Sequence, residues 1–372
     1  MMIKPLNVLS LMCGTSFESL KNAFVKTDGV DIYETFGESE MPLPAFLRVK
    51  IDLTQDKNPL VPDDKLLIDT VENDMTDLMI RRIDDLMQNT EQKIDLIAIE
   101  GPTITHCPEK KYTYQLGKGQ QIFEAFHIPT VSHFHNADIL NGGEGNPISA
   151  TYFNALAVKA QKPILFINIG GVTSLIYIGD FGEMISFDCT AGNAMLNDFV
   201  KKHGSIAMDY NGKCAALGKP NLRIVETLLR HRFFEKMPPK SLPRNLFNDK
   251  TEHFEGLSLE DGAATITEFV AESIVRSVLH MLPSKPNQVI ICGGGAKNPT
   301  LTRLIRQKLK KNDINAEDHD DITPNDAAAI AFLGARCYYH LPITFPETTG
   351  VSAPMTGGKI YQKEQKNDHS RH

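Results

Sequence analysis

The sequence predicts an α/β protein made of two similar halves that face each other across a cleft. Two stretches carry this prediction, because each reads as a strand, a glycine-containing turn and two further strands. One stretch runs from Asn7 to Phe36, and the other runs from Pro163 to Asp188. Around them, strand patterns alternate with helix patterns, as in layered α/β folds. The repeat indicates a duplicated chain.

The first half continues with helix patterns and buried strands. Apolar residues recur at three- and four-residue spacing over 45–51 and 61–88, which predicts two helices. The runs Ile94–Ile99 and Ile128–Phe134 are short and apolar, which predicts buried strands. The glycine-rich loop Asn141–Pro147 follows and indicates a boundary between the halves.

The second half carries clear helix-start signals. Ser258 stands where it would cap a long apolar-periodic helix, and Asn298 with Pro299 would begin another. The strand pattern Gln288–Cys292 ends in a glycine turn just before that second helix. A helix rich in small residues, Asn325–Arg336, would let two domains pack closely and hinge.

Length and composition limit the classes of protein. At 372 residues the chain is long enough for two domains, which we predict as 1–145 with about 341–372, and 146–340. The net charge of −7 argues against nucleic acid as a partner. Six cysteines without a Cys-x-x-Cys pair are typical of a cytoplasmic protein. No apolar run reaches the roughly 18 residues that span a membrane.

The glycine turns indicate the chemistry. One strand enters Gly14–Ser16, and the matching strand of the second half enters Asn168–Gly171. Free N–H groups in such turns suit phosphate oxygens. A third turn, Gly293–Gly295, would let a base and ribose lie against the backbone. Together they predict a polyphosphate held between the halves.

A series of motifs, in order over nearly the whole chain, resembles the 1,6-anhydro-N-acetylmuramic acid kinases of bacterial cell-wall recycling. These belong to the superfamily of acetate and sugar kinases, heat-shock chaperones and actin. The resemblance therefore implies a two-domain duplicated actin-like ATPase (ribonuclease H-like) fold with a central cleft. The motifs are Leu11–Glu18, Gly142–Gly145, Asn168–Gly171, Phe187–Asn193, Pro238–Ser241, Cys292–Asn298 and Asp326–Phe332.

The resemblance implies an ATP-dependent kinase that phosphorylates 1,6-anhydro-N-acetylmuramic acid at carbon 6 while water opens the anhydro ring. The family's general base falls on Asp188, and a carboxylate ending a strand beside a phosphate turn suits that role. The alternative is that Asp188 caps the helix beginning near Asn193. The partners would be the amino sugar and ATP, with a homodimer expected on base rates alone.

The resemblance also implies the binding residues. Mg²⁺ would be held through water by Glu18 and Asp326, although Glu18 could instead be a surface turn carboxylate. The implied ATP- and phosphate-binding residues are Gly14, Thr15, Ser16, Phe17, Glu18, Ser19, Leu20, Lys21, Asn168, Gly170, Gly171, Gly293, Gly294, Gly295 and Asn298. The implied substrate-binding residues are Gly101, Thr103, Asp138 and Asn193.

Several positions depart from the family pattern, mainly in the first half. Lys21 replaces an aspartate near the expected phosphates. Glu100 and Pro102 replace a histidine and a glutamine, and Thr105 and His135 replace arginines. An arginine binds a carboxylate or phosphate through two hydrogen bonds, so these losses bear on the sugar and the γ-phosphate.

Three hypotheses follow. The first is an active anhydro-sugar kinase, favoured by the retained Gly14–Ser16, Glu18, Asp188 and Asn193. The second is a non-catalytic nucleotide-binding paralogue that closes on a partner, favoured by the departures. The third is a kinase for another sugar on the same fold, which would often carry a zinc-binding cysteine cluster that this sequence lacks.

Overall fold

The structure is a computed structural model that describes residues 3–247, 252–316 and 322–363. The end of the predicted C-terminal segment, 364–372, lies outside the described residues. The strands are β1 (Leu6–Cys13), β2 (Ser19–Thr27), β3 (Ile32–Pro42), β4 (Leu96–Glu100), β5 (Thr103–Cys107), β6 (Tyr112–Gln115), β7 (Thr130–Ser132), β8 (Ile164–Ile169), β9 (Val172–Ile178), β10 (Met184–Ala191), β11 (Gln288–Cys292) and β12 (Lys359–Tyr361). The α-helices are α1 (Ala45–Leu53), α2 (Pro62–Gln88), α3 (Gly119–Phe126), α4 (Asn136–Leu140), α5 (Ala150–Leu156), α6 (Asn193–Gly204), α7 (Lys213–Leu217), α8 (Leu222–Leu229), α9 (Leu259–Met281), α10 (Pro299–Lys310), α11 (Asp326–Tyr338) and α12 (Pro346–Thr349).

The two main sheets repeat one topology. The first has the order β12-β7-β4-β1-β2-β3, and the second has the order β10-β9-β8-β11. In each, three strands form an antiparallel meander, and a later strand pairs parallel with the first strand of that meander. The prediction of a duplicated α/β fold is confirmed by this shared pattern.

Local sequence signals set the helix boundaries. The Ser258 side chain accepts a hydrogen bond from the Asp261 N–H at 3.1 Å, and α9 begins at the next residue after Ser258. The Asn298 side chain caps α10 in the same way, with Pro299 in its first turn. Side chains of this kind satisfy N–H groups that a helix start leaves without partners. The predicted helices and the strand β11 are confirmed.

Helices α5 and α11 lie between the two main sheets. Helix α11 packs on β1, β2 and β4, and it also contacts α5, which in turn contacts β9 and β10. Their small and aromatic residues join one apolar core with both sheets, including Val8, Ala98, Phe166 and Phe332. The halves are therefore connected by a shared helical layer. The domain boundaries stay a prediction.

The outer faces of the sheets carry separate cores. Helices α1 and α2 cover β1 and β4 in the first half, and α9 covers the second sheet. The strands β1 and β8 both end at the space between the halves. Within the described ranges, no helix is both long and apolar enough to cross a lipid bilayer.

Candidate active site

A cleft of about 510 Å³ lies between the halves and is lined by both predicted phosphate turns. The turns touch, because a Cβ atom placed on Gly171 would lie only 2.1 Å from the Thr15 Oγ1 atom. A side chain at position 171 would displace Thr15, which favours glycine there. The glycine turns of the two repeated units therefore form one shared site.

Most of the predicted binding residues line this cleft. Phe17 and Leu20 do not line it, because their side chains are buried in the core beneath the turn. Gly293 and Gly295 pack against Ile169 behind the lining. The predicted residues that line it are Gly14, Thr15, Ser16, Glu18, Ser19, Lys21, Gly101, Thr103, Asn168, Gly170, Gly171, Asp188, Asn193, Gly294, Asn298 and Asp326.

The first turn is held from the opposite half by Arg244. Its Nε atom donates a hydrogen bond to the Thr15 carbonyl at 2.7 Å, and its two terminal nitrogens bind the Asp198 carboxylate at 3.0 and 3.1 Å. The guanidinium also lies 5.2 Å from the centre of the Phe17 ring. Sequence reasoning missed Arg244, although it follows the motif ending at Ser241.

The predicted metal ligands both have one oxygen engaged. Asn197 donates to the Glu18 Oε1 atom at 2.9 Å, and burial raises the pKa of Glu18. The Lys21 Nζ atom lies 3.3 Å from the Asp326 Oδ2 atom. Within the described ranges, no group of three histidine, cysteine, aspartate or glutamate side chains is arranged to hold a metal ion. The remaining oxygens suit Mg²⁺ held through water and phosphate oxygens.

The second turn is held by backbone hydrogen bonds of its own half. The N–H groups of Gly192 and Asn193 donate to the carbonyls of Gly171 and Gly170, each at 2.9 Å. The Gly170 N–H in turn donates to the Val172 carbonyl at 3.0 Å. These bonds close the turn against the start of α6.

Asp188 is a buried carboxylate in the cleft wall. Its Oδ1 atom accepts a hydrogen bond from the Ser174 hydroxyl at 2.6 Å, and its Oδ2 atom accepts one from the Leu242 N–H at 2.9 Å. Burial raises the pKa of Asp188 to about 6. Asp188 does not cap α6, because the N-cap of that helix is Gly192 and no side chain caps it.

A buried lysine lies close to Asp188. Lys240 is fully buried, and its Nζ atom donates to the Phe233 carbonyl at 3.1 Å and lies 4.4 Å from the Phe233 ring centre. The Lys240 carbonyl accepts the Asp188 N–H at 3.0 Å. Burial lowers the pKa of Lys240 to about 8. This cation opposes the rise in the pKa of Asp188.

A buried ion pair lies in the first half, at two positions that depart from the pattern that the resemblance implies. The His135 Nε2 atom lies 2.7 Å from the Glu100 Oε1 atom, and its Nδ1 atom lies 2.7 Å from the Gly145 carbonyl. Burial opposes the charge on His135, but the Glu100 carboxylate and the Gly145 carbonyl outweigh it, so its pKa is raised.

Asp138 lies behind this pair and outside the cleft lining. Its Oδ1 atom accepts the Gly145 N–H at 2.7 Å, and its Oδ2 atom accepts the Thr349 hydroxyl at 2.5 Å. Both oxygens therefore hold the glycine-rich loop, and the side chain does not reach the site predicted for substrate.

The repeated topology and the paired turns facing one cleft define the class of actin-like ATPases and kinases. A family model described as anhydro-N-acetylmuramic acid kinase matches residues 6–363. The chain belongs to the anhydro-N-acetylmuramic acid kinase family. The predicted family and the predicted enzyme class, a phosphotransferase with an alcohol group as acceptor, are confirmed.

Named relatives are similar over their whole length. The anhydro-N-acetylmuramic acid kinase of Zymomonas mobilis subsp. mobilis is 34% identical over 364 residues, covering 95% of this chain and 99% of that protein. The enzyme of the same name from Bradyrhizobium diazoefficiens is 34% identical over 380 residues, with the same coverage. Among solved structures, the activator of the 2-hydroxyisocaproyl-CoA dehydratase from Clostridium difficile with bound ADPNP aligns at a TM-score of 0.41 and 12% identity, covering 90% of this chain and 94% of that chain.

Proposed function

We propose that this chain is an ATP-dependent kinase that converts 1,6-anhydro-N-acetylmuramic acid to N-acetylmuramic acid 6-phosphate while opening the anhydro ring. One observation carries the proposal. The buried Asp188 carboxylate lies in the wall of a cleft that two touching glycine turns also line. A base and a phosphate site in one cleft are what coupled hydrolysis and phosphoryl transfer require.

In the proposed reaction, Asp188 acts as the general base. Water attacks carbon 1 of the sugar, and its proton passes to the Asp188 carboxylate. The bond between carbon 1 and oxygen 6 breaks, and oxygen 6 forms a bond to the γ-phosphorus as ADP leaves. A pKa of about 6 keeps Asp188 mostly deprotonated at neutral pH. Because this pKa lies close to pH 7, the carboxylate is also basic enough to accept a proton effectively.

The phosphates would lie on the backbone of Gly14–Ser16 and of Gly170 and Gly171. Glu18 and Asp326 would hold Mg²⁺ through water, and the ion would shield the charge of the phosphate oxygens. Lys21 adds a cation beside Asp326, so part of that shielding comes from the chain itself. The sugar would lie toward Gly101, Thr103 and Asn193, which also line the cleft.

We place this reaction in cytoplasmic recycling of cell-wall amino sugars. The names of the relatives support the substrate, and the free thiol form of Cys13, Cys107, Cys189, Cys214, Cys292 and Cys337 supports the compartment.

The test is to incubate the protein with ATP, Mg²⁺ and 1,6-anhydro-N-acetylmuramic acid in ¹⁸O-labelled water. We expect sugar-dependent release of ADP, a 6-phosphate product, and the label on carbon 1. A reaction without sugar measures background ATP hydrolysis. Nucleotide binding without turnover would instead favour the non-catalytic paralogue. The observation that favours this alternative is the Glu100–His135 pair, which stands where the family resemblance implies histidine and arginine.

A further inference from the structure

A loop of the first half reaches the segment of the second half that holds Asp188. The Glu144 Oε2 atom accepts hydrogen bonds from both the N–H and the hydroxyl of Ser241, each at 3.0 Å. Its Oε1 atom pairs with Lys236. The Glu144 N–H donates to the Thr349 carbonyl at 2.7 Å. The Glu144 side chain thus connects the two halves, while its backbone is anchored within the predicted first half.

The loop that carries Glu144 is rigidly held. A Cβ atom on Gly143 would lie 2.1 Å from the Asp138 Oδ1 atom, so glycine lets the loop pack directly on that carboxylate. Asp138 also accepts the N–H of Gly145, on the other side of Glu144. The residues flanking Glu144 are therefore fixed, and its carboxylate is aimed at Ser241.

The residue that Glu144 contacts is directly followed by the residue that hydrogen-bonds Asp188. Ser241 precedes Leu242, whose N–H donates to the Asp188 Oδ2 atom at 2.9 Å. The His106 Nε2 atom also lies 3.2 Å from the Ser241 hydroxyl oxygen. Burial lowers the pKa of His106 to about 3, so this ring is neutral at physiological pH. The formal charge at Ser241 therefore comes from Glu144.

The groups that face Asp188 come from several elements. Burial is the largest influence and raises its pKa, while the Ser174 hydroxyl and the Leu242 N–H lower it. The Glu144 charge raises it further, and the Lys240 charge lowers it. On the same strand, Cys189 stays a neutral thiol, because burial raises its pKa far above the usual value.

We propose that Glu144 is a positioning residue for Asp188. It fixes the Ser241–Leu242 peptide that hydrogen-bonds the base, and its negative charge moves the acidic limit of the base's activity to higher pH. This inference rests on the proposed function, in which Asp188 takes the proton from water.

The experiment measures kcat against pH for the wild type, Glu144→Gln and Glu144→Ala with ATP, Mg²⁺ and 1,6-anhydro-N-acetylmuramic acid. Glutamine keeps an oxygen for the Ser241 N–H but removes the charge. We expect the acidic limb of the Glu144→Gln profile to move to lower pH. At pH 5.5 the rate of this variant, as a fraction of its own plateau, should be about twofold or more higher than the same fraction for the wild type. In Glu144→Ala the peptide loses its anchor, and the plateau falls roughly tenfold.

Lys236→Gln is the matched control, because it removes the exposed partner of the same carboxylate and leaves both bonds to Ser241. Its acidic limb is expected not to move to lower pH. An unmoved limb in folded Glu144→Gln, with an inactive Asp188→Asn, overturns this inference alone. Full turnover in Asp188→Asn overturns the role of the base and this inference together. Melting curves establish that each variant is folded.

Discussion

The two glycine turns that meet in the cleft are held in place by different means. The second-half turn at Gly170 and Gly171 is closed by backbone hydrogen bonds from its own half. The first-half turn at Gly14–Ser16 has one backbone hydrogen bond of its own, from the Phe17 N–H to the Gly14 carbonyl at 3.1 Å. It is also held by side chains of the other half, with Arg244 on the Thr15 carbonyl and Asn197 on Glu18. The second turn is thus closed by backbone bonds within its half, whereas the first adds side-chain contacts across the cleft.

Both turns keep residues of the family motif, at Gly14–Ser16 and at Asn168–Gly171. Lys21, a departure from the family pattern, stands close to the first turn, whose contacts come partly from the opposite half. We therefore expect variants of the first half to alter rates, and variants of the second-half turn to alter nucleotide binding itself.

The largest expected effect is at Asp188, which belongs to the second half. Asp188→Asn keeps the shape and the hydrogen bond from Leu242 but cannot accept a proton. We expect turnover to fall roughly 10²–10⁴-fold, while ADP affinity measured by calorimetry stays within about threefold. Wild-type turnover in this variant would remove Asp188 from the mechanism.

The same residue gives a pH dependence. Activity needs the deprotonated carboxylate, and the pKa of Asp188 is raised to about 6. Activity is therefore full above pH 7 and falls as the pH decreases through about 6. A profile of kcat that is flat between pH 5 and 7 would contradict the role of Asp188 as the base.

Arg244→Ala tests whether the first turn depends on the opposite half. The Thr15 carbonyl would lose its partner, and Asp198 would be left with an unpaired charge. We expect kcat/KM for ATP to fall roughly 10–100-fold. Arg303→Ala, on the exposed face of α10, is the control and should leave that value within about twofold. Equal effects in the two variants would show that the contact between Arg244 and Thr15 does not contribute to kcat/KM for ATP.

Substitutions at the glycines themselves sharpen the comparison. In Gly171→Ala the new methyl group would meet the Thr15 Oγ1 atom at 2.1 Å, whereas in Gly14→Ala it would meet only the Met12 Cε atom, at 4.0 Å. We expect Gly171→Ala to lower the melting temperature by several degrees and Gly14→Ala to change it little. The reverse order would mean that the turns do not touch in solution.

Much of the fold was predictable because its signals are local. The caps at Ser258 and Asn298 and the apolar spacing of the helices act within a few residues. The strand after the first turn shows the limit of this reasoning, because Leu20 belongs to the contiguous set of predicted phosphate-binding residues Gly14–Lys21 yet points into the core. Strand alternation sends neighbouring residues to opposite faces, so membership of a motif does not place a side chain in the cleft.

The missed site residues have a common cause. Arg244 contacts Thr15 across 229 positions, and Glu144 contacts Ser241 across 97 positions. No local pattern predicts which side chain will meet a turn from the opposite half. Lys240 was missed for another reason, because a lysine between a proline and a serine is expected to be exposed, while the fold buries it completely.

The smallest expected effect concerns the Glu100–His135 pair, a first-half feature of this chain. The pKa of His135 is raised in the folded protein, so the pair contributes stability fully below the unfolded pKa of about 6.5. That stability is lost as the pH rises through the folded pKa, where the proton leaves. We expect the melting temperature of the wild type to drop by a few degrees more between pH 6 and 9 than that of Glu100→Gln/His135→Gln. Equal pH dependence in the two proteins would mean that His135 is neutral in the fold and that the pair adds no charge-dependent stability.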